Sequence, residues 1–248
     1  METGKESRKE ADVVIQIIEQ VDLRHQSHPF DLADDLKARV AAHWAEAAAR
    51  NPRLWNGRVL MTLAPGTEGG IAVANGVFSA EAVDVDFSTF LAWRDWGFPE
   101  MGFRNVFGSP LILSADGCLL YGLMAGWTAN AGMIYPPGGS LEPRDIRSDG
   151  VIDVLGSIET ELLEETGLGA NDALRRELLA VFDGPRVSLA EVLRFDVSAE
   201  HLQARARAHI AADTHPELDD LVILRSPADL DQDRTPAYAM ALARHLLD

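Results

Sequence analysis

A mixed α/β (α+β) chain is the fold class the sequence predicts, on two observations. Apolar residues recur at helical spacing in some stretches, and short runs of valine, leucine and isoleucine bounded by glycine occur in others. A content of 47% apolar residues in 248 is enough to bury a sizeable core.

In chain order, Val13, Val14, Ile17 and Ile18 have amphipathic spacing and predict a helix from Asp12 to Val21. An alanine-rich helix follows from about Asp31 to Arg50 and stops before Asn51-Pro52, where proline biases the preceding residue out of the α region. Strands are expected at Arg58 to Leu63, Ile71 to Ala74 and Ala82 to Phe87, separated by Gly66, Gly69, Gly70 and Gly76. Ser88 to Trp96 reads as a short helix, and the glycine- and aromatic-rich stretch up to Gly108 reads as a loop. Leu111 to Ser114 and Leu119 to Met124, joined by Ala115-Asp116-Gly117, form a hairpin pattern. Beyond a helix from about Val151 to Thr166, strands are expected at Leu178 to Phe182, Val187 to Val197 and Leu221 to Arg225. The remaining helices are Ala199 to Ala212 and Pro236 to Leu247. No repeat or low-complexity linker divides the chain, so a boundary near residue 100 between an N-terminal α+β part (1–100) and the remainder (101–248) is soft.

Composition removes several function classes. No run of about 18 apolar residues suggests a membrane span, and Met1 to Glu6 lacks the basic-then-apolar pattern of a secretory signal, so a cytoplasmic protein is expected. Cys118 is the only cysteine, which excludes an intrachain disulfide and a thiolate metal cluster; it reads as a small buried hydrophobe. A net charge of −17 opposes extended contact with nucleic acid or an anionic membrane. A small anionic substrate would need bound cations or a few placed arginines to offset that field.

The helix from Val151 to Thr166 carries the chemistry. Leu155, Ile158 and Leu162 make an apolar stripe, and Glu161 neighbours both Glu164 and Glu165, putting three carboxylates within one turn. Solvent tolerates such a face unaided. Two flanking features give it more meaning: Gly167 stands where a left-handed residue ends a helix, with Leu168 placed to pack back. Upstream, Pro136-Pro137-Gly138-Gly139-Ser140-Leu141-Glu142-Pro143 is a loop whose backbone can approach a ligand closely.

Loop and helix together resemble the Nudix signature, in which a glycine loop precedes a helix ending Arg-Glu-aliphatic-any-Glu-Glu-any-Gly-aliphatic. Residues 161–168 fit the part that follows the arginine, and the resemblance covers about thirty residues. Thr160 replaces the arginine. Thirteen residues separate Gly139 from Asp153, the substitute for an upstream acid, and six separate Asp153 from Thr160, so Arg144 to Gly150 reads as a loop insertion.

The resemblance implies a Nudix-type α/β/α sandwich with a mixed sheet over 101–248. It also implies metal ligands at Glu161, Glu164 and Glu165, a loop glycine at Gly139, and Mg²⁺ as cofactor with Mn²⁺ as the alternative. The reaction would be hydrolysis of a diphosphate bridge, with oxygen-ligated Mg²⁺ drawing charge from phosphate. Glu165 or Glu217 would take the proton from water, Glu161 completing the catalytic set. Glu217, in Thr214-His215-Pro216-Glu217-Leu218, lies where Nudix enzymes often supply a further carboxylate, and His215 beside it is a candidate substrate contact.

Asn51 to Gly57, the lengthened loop and His215-Pro216-Glu217 further resemble the UDP-glucose pyrophosphatase-like branch, which implies a small-molecule nucleoside-diphosphate sugar as substrate. ADP-ribose or dinucleotide hydrolysis, or a catalytically weak nucleotide sensor, are the alternatives. Trp55 and Tyr135 suit stacking on a base or sugar, and Arg94 and Arg104 suit bidentate phosphate contacts. A homodimer is an arrangement that the resemblance allows.

Overall fold

The computed structural model describes residues 13–27, 30, 32–52 and 54–248. Met1 to Glu6, the helix starts expected at Asp12 and Asp31, and Arg53 lie outside the described residues. The described residues form two compact units, one within 13–19, 107–139 and 155–248, the other within 20–106 and 140–154.

In the first unit, β1 (Val14–Ile18) pairs antiparallel with β9 (Arg175–Asp183), and β9 pairs antiparallel with β10 (Arg186–Arg194). β10 lies beside β6 (Phe103–Leu113), which turns through Ala115-Asp116-Gly117 into β7 (Leu119–Met124) as the hairpin pattern predicts. β7 also pairs with β8 (Ile134–Tyr135) and β11 (Leu218–Leu224). Alternate residues of these strands serve opposite faces. Leu111, Leu113, Leu119 and Tyr121 pack with Tyr238, Ala239, Leu242 and Ala243 of α5 (Ala237–Leu247). Ile112, Cys118 and Leu120 instead pack with Leu162 of α3 (Val154–Thr166) and with Leu202 and Ala206 of α4 (Ala199–Ala212). A sheet covered on both faces needs near-continuous apolar strands, which explains why Leu111 to Leu113 and Leu119 to Met124 show little polar alternation. The result is the expected α/β/α arrangement, with Cys118 buried as expected.

The second unit is built on β5 (Val77–Asp86), parallel to β2 (Gln20–His25) and antiparallel to β3 (Arg58–Leu63) and β4 (Ala72–Ala74). The sheet of this unit is therefore mixed. Positive φ at both Asn75 and Gly76 gives the β4–β5 turn the twist that a two-residue hairpin requires. The start of β6 joins β3 through Thr62↔Arg104 and Leu63↔Phe103. α1 (Asp34–Arg50) stops at Asn51 as predicted, and α2 (Phe87–Asp95) contributes Phe90 and Trp93 to a core with Met61, Val83 and Phe103.

Two expectations are corrected. The described part of the stretch read as a helix, residues 13–21, forms β1 and the start of β2 instead. Its residues are mostly β-branched, which fit an extended backbone at least as well as a helix, and β9 supplies the backbone partners that decide the matter. The loop expected up to Gly108 is largely strand, because β6 begins at Phe103; Phe103 and Val106 are fully buried. The inserted segment Arg144 to Gly150 is also ordered. His25 N–H donates to Gly150 O and Ile152 N–H to Leu23 O, tying the insertion along β2.

The strand assignment makes a testable distinction. Ile17 is 75% exposed and its neighbour Ile18 only 3%, whereas a helix would bury both on one stripe. Ile17→Thr is expected to change stability by less than about 0.5 kcal/mol, and Ile18→Ala to cost roughly 2–5 kcal/mol. Denaturant unfolding checks both, and equal losses would contradict the strand.

Candidate active site

The buried side of α3 runs through Val154, Ile158 and Leu162, and the next position on the same stripe is Glu165. A carboxylate thus occupies a place where helical periodicity would put a core residue, and Glu165 is only 7% exposed. Leu155, expected on the stripe, is half-buried and Val154 takes its place. Glu161 is half-buried and Glu164 exposed.

The loop before the insertion lies against two of these carboxylates. Gly138 donates its N–H to Glu165 Oε2 at 3.2 Å. It does so at φ 141°, in a backbone conformation that favours glycine, with the Gly108 carbonyl where a side chain would go. A Cβ on Gly139 would stand 2.7 Å from Glu161 Oε1, so the backbone passes as close to that carboxylate as a missing side chain allows. The helix ends as the sequence implies: Gly167 is left-handed at φ 68°, its N–H bonds to Leu163 O at 2.9 Å, and Leu168 packs in the same core as Leu162.

Glu217 comes from the loop between α4 and β11, where Ala125 N–H donates to Glu217 O at 2.8 Å. Next to it, His215 N–H bonds to Asp213 Oδ1 at 2.9 Å. Glu161, Glu164, Glu165, His209, His215 and Glu217 line one cleft of about 550 Å³. Burial, then the charges of Glu161 and Glu217, push the Glu165 carboxyl well above its ordinary range, against the Gly138 N–H, which lowers it. Among the described residues, no three histidine, cysteine, aspartate or glutamate side chains stand ready around a single point as a metal cage.

Other residues singled out from the sequence are not among those that line this cleft. Tyr135 packs along both cores of its unit, and its hydroxyl accepts from Asn130 Nδ2 at 2.9 Å. Arg94, Arg104 and Trp55 belong to the other unit. Arg104 makes two bonds to Glu100 at 2.9 and 3.0 Å, Arg94 is 3.1 Å from Asp95, and Trp55 is 75% exposed. Asp153 is held by Arg147 at 3.0 Å. Thr160 is exposed and donates its hydroxyl to Gly156 O, so it brings no charge to the glutamates.

Sequence reasoning missed His209, Asp213 and the amide of Gly138. The doubled glycine was a signal for the last of these. His209 had none, because it is 45 positions beyond Glu164 and meets it only through the packing of α4 on α3.

No family model matches the chain, and no curated protein matches it. Among solved structures, a bifunctional NMN adenylyltransferase/ADP ribose pyrophosphatase from Francisella tularensis is 16% identical with a TM-score of 0.37, covering 60% of this chain and 42% of that one. The same protein complexed with AMP and a Mn ion gives 17% and 0.37. The Bacillus subtilis pyrophosphohydrolase BsRppH (E68A mutant) is 14% identical, with a TM-score of 0.31 over 58% of this chain and 75% of that one. DR0079 from Deinococcus radiodurans is 12% identical at 0.36 over 51% and 69%. Likeness of this size decides neither activity nor substrate.

The raised carboxyl has a stability consequence. Between the ordinary value of 4.5 and its raised value, the folded protein holds a proton that the unfolded chain releases, so stability falls as pH rises through that window. In metal-free buffer, Glu165→Gln should melt with the wild type near pH 4 and above it at pH 7.5. The gain is on the order of 1–3 kcal/mol, or roughly 2–4 °C per kcal/mol. Thermal melts at the two pH values check this, and a variant that loses stability at pH 7.5 would contradict it.

Proposed function

We propose that this chain is a divalent-cation-dependent, Nudix-type pyrophosphohydrolase that cleaves a nucleoside-diphosphate sugar to nucleoside monophosphate and sugar 1-phosphate. The observation that carries the reading is the gathering of Glu161, Glu164, Glu165 and Glu217 in one cleft beneath a glycine loop. An all-carboxylate donor set suits a hard cation. Mg²⁺ keeps several waters and needs only one or two carboxylates, so a site without a closed protein cage fits it.

Glu161, Glu164 and Glu165 would hold the cation, Mg²⁺ first and Mn²⁺ as substitute. When bound, it supplies Lewis acidity toward the phosphate oxygens and offsets the charge of substrate and chain. The residues themselves provide the rest. Glu165, whose carboxylate accepts the Gly138 N–H, would take the proton of the attacking water as the water oxygen bonds to phosphorus and the bridging P–O bond breaks. Glu217, exposed and lining the same cleft, is the alternative acceptor of that proton. Gly139, having no side chain, lets the loop backbone approach the Glu161 carboxylate.

Tyr135 and Trp55 are the aromatic candidates for base or sugar. Arg94 and Arg104 reach a phosphate only by exchanging Asp95 and Glu100 for it. Hydrolysis of ADP-ribose-like or dinucleotide diphosphates uses the same residues with a different binding surface. The charge-free Thr160 favours one further reading, a protein that binds nucleotides with little turnover.

The test is incubation with UDP-glucose, ADP-ribose and dinucleoside diphosphates, with and without Mg²⁺ or Mn²⁺, with products separated by chromatography. Metal-dependent UMP and glucose 1-phosphate, reduced about 100-fold or more in Glu165→Gln, is the expected result. Turnover confined to another diphosphate would retain the reaction and discard the sugar-nucleotide substrate. Binding without turnover would replace the enzyme with a sensor.

A further inference from the structure

His209 stands between the two segments that carry the carboxylates. The last six residues of α3 include Glu161, Glu164 and Glu165, and no basic residue occupies its last turn. The helix dipole is negative at that end, and its final carbonyls need donors from outside the helix. Gly167 N–H serves Leu163 O. The carbonyl of Glu164 is 2.8 Å from His209 Nε2, and because a carbonyl only accepts, Nε2 carries the hydrogen.

The fit of this ring explains Gly167 a second time. A Cβ there would lie 2.8 Å from His209 Cγ and 2.9 Å from Nδ1, so the imidazole occupies the space that glycine leaves. From His209 the connection continues through its own backbone. Asp213 N–H donates to His209 O at 3.2 Å, and Asp213 Oδ1 accepts His215 N–H at 2.9 Å, at the start of the loop that holds Glu217. The helix bearing His209 is itself fixed, by Leu202 and Ala206 in the core and by two bonds from Arg207 to Asp220 at 2.9 and 2.7 Å.

We infer that His209 is a positioning residue. Its Nε2–H holds the end of α3 against the 213–217 loop, so that Glu164 and Glu165 face Glu217 across one cleft. The inference deepens the pyrophosphohydrolase reading, on which it rests for the cluster's role as the cation site.

The experiment compares full-length wild type, His209→Phe and His209→Gln. Phenylalanine keeps a ring beside Gly167 without the donor, and glutamine places an amide N–H near the position of Nε2. Free Mn²⁺ is followed by electron paramagnetic resonance during titration with the metal alone. His209→Phe is expected to weaken Mn²⁺ binding about tenfold, with His209→Gln within about threefold of wild type. Wild-type affinity in the phenylalanine variant, or equal losses in both variants, overturns the inference.

Amide hydrogen exchange separates this outcome from failure of the functional reading. If the wild type binds no Mn²⁺, the cation site falls, and positioning is then decided at the Gly167 and Asp213 amides. Exchange there about tenfold faster in the phenylalanine variant and restored in the glutamine variant sustains it, and unchanged exchange overturns it. If His209→Phe does not fold, the glutamine variant decides: wild-type protection at both amides sustains the inference, and its loss overturns it.

Discussion

Burial of the Glu165 carboxylate, beside Glu161, Glu164 and Glu217, is the constraint around which the surrounding structure is arranged. Two costs compete for importance there. Like charges three or four residues apart on an exposed helix repel by only a few tenths of a kcal/mol. Taking one carboxylate out of water costs several kcal/mol even after relaxation. Burial therefore dominates, in agreement with its place as the largest cause of the raised carboxyl. Such a group is tolerated if it keeps a proton, accepts donors or meets a cation. The Gly138 amide supplies one donor, and that one bond leaves most of the carboxylate's accepting capacity for a ligand.

The scaffold meets this constraint through its layers. Alternate residues of β6 and β7 fill both faces of the sheet, so α3 and α4 lie on one side and α5 on the other. Because α3 is anchored by Ile158 and Leu162, its register fixes which way Glu165 points. The glycine loop approaches that helix after β8, and the chain then runs through the insertion tied along β2 before returning as α3. Extra length between loop and helix is thus taken up by backbone bonds within the second unit. Loop glycine and helix glutamates meet without the shorter spacing of the signature.

Much of this was legible in residues 161–168. A left-handed glycine followed by a leucine defines a helix end, and helical periodicity places three glutamates together before any coordinates are known. The strands of the first unit were legible as well, since a sheet covered on both faces leaves continuous apolar runs. Two kinds of feature were not. Val13 to Ile18 satisfies a helical and an extended pattern equally, and only its partner β9 settles the choice. Contacts between distant segments, such as His209 with Glu164, leave no local spacing to detect. Arg94 and Arg104 illustrate the opposite difficulty, because an arginine suited to phosphate is equally suited to the neighbouring Asp95 or Glu100 that each one meets.

The account stands on the claim that the carboxylate cluster around the buried Glu165 receives a divalent cation. Anomalous diffraction from crystals of the wild type grown with Mn²⁺ tests it directly. The predicted result is a manganese peak in the cleft at about 2 Å from carboxylate oxygens of Glu161, Glu164 or Glu165. A peak only elsewhere, or none at Mn²⁺ concentrations that saturate known carboxylate sites, would contradict it.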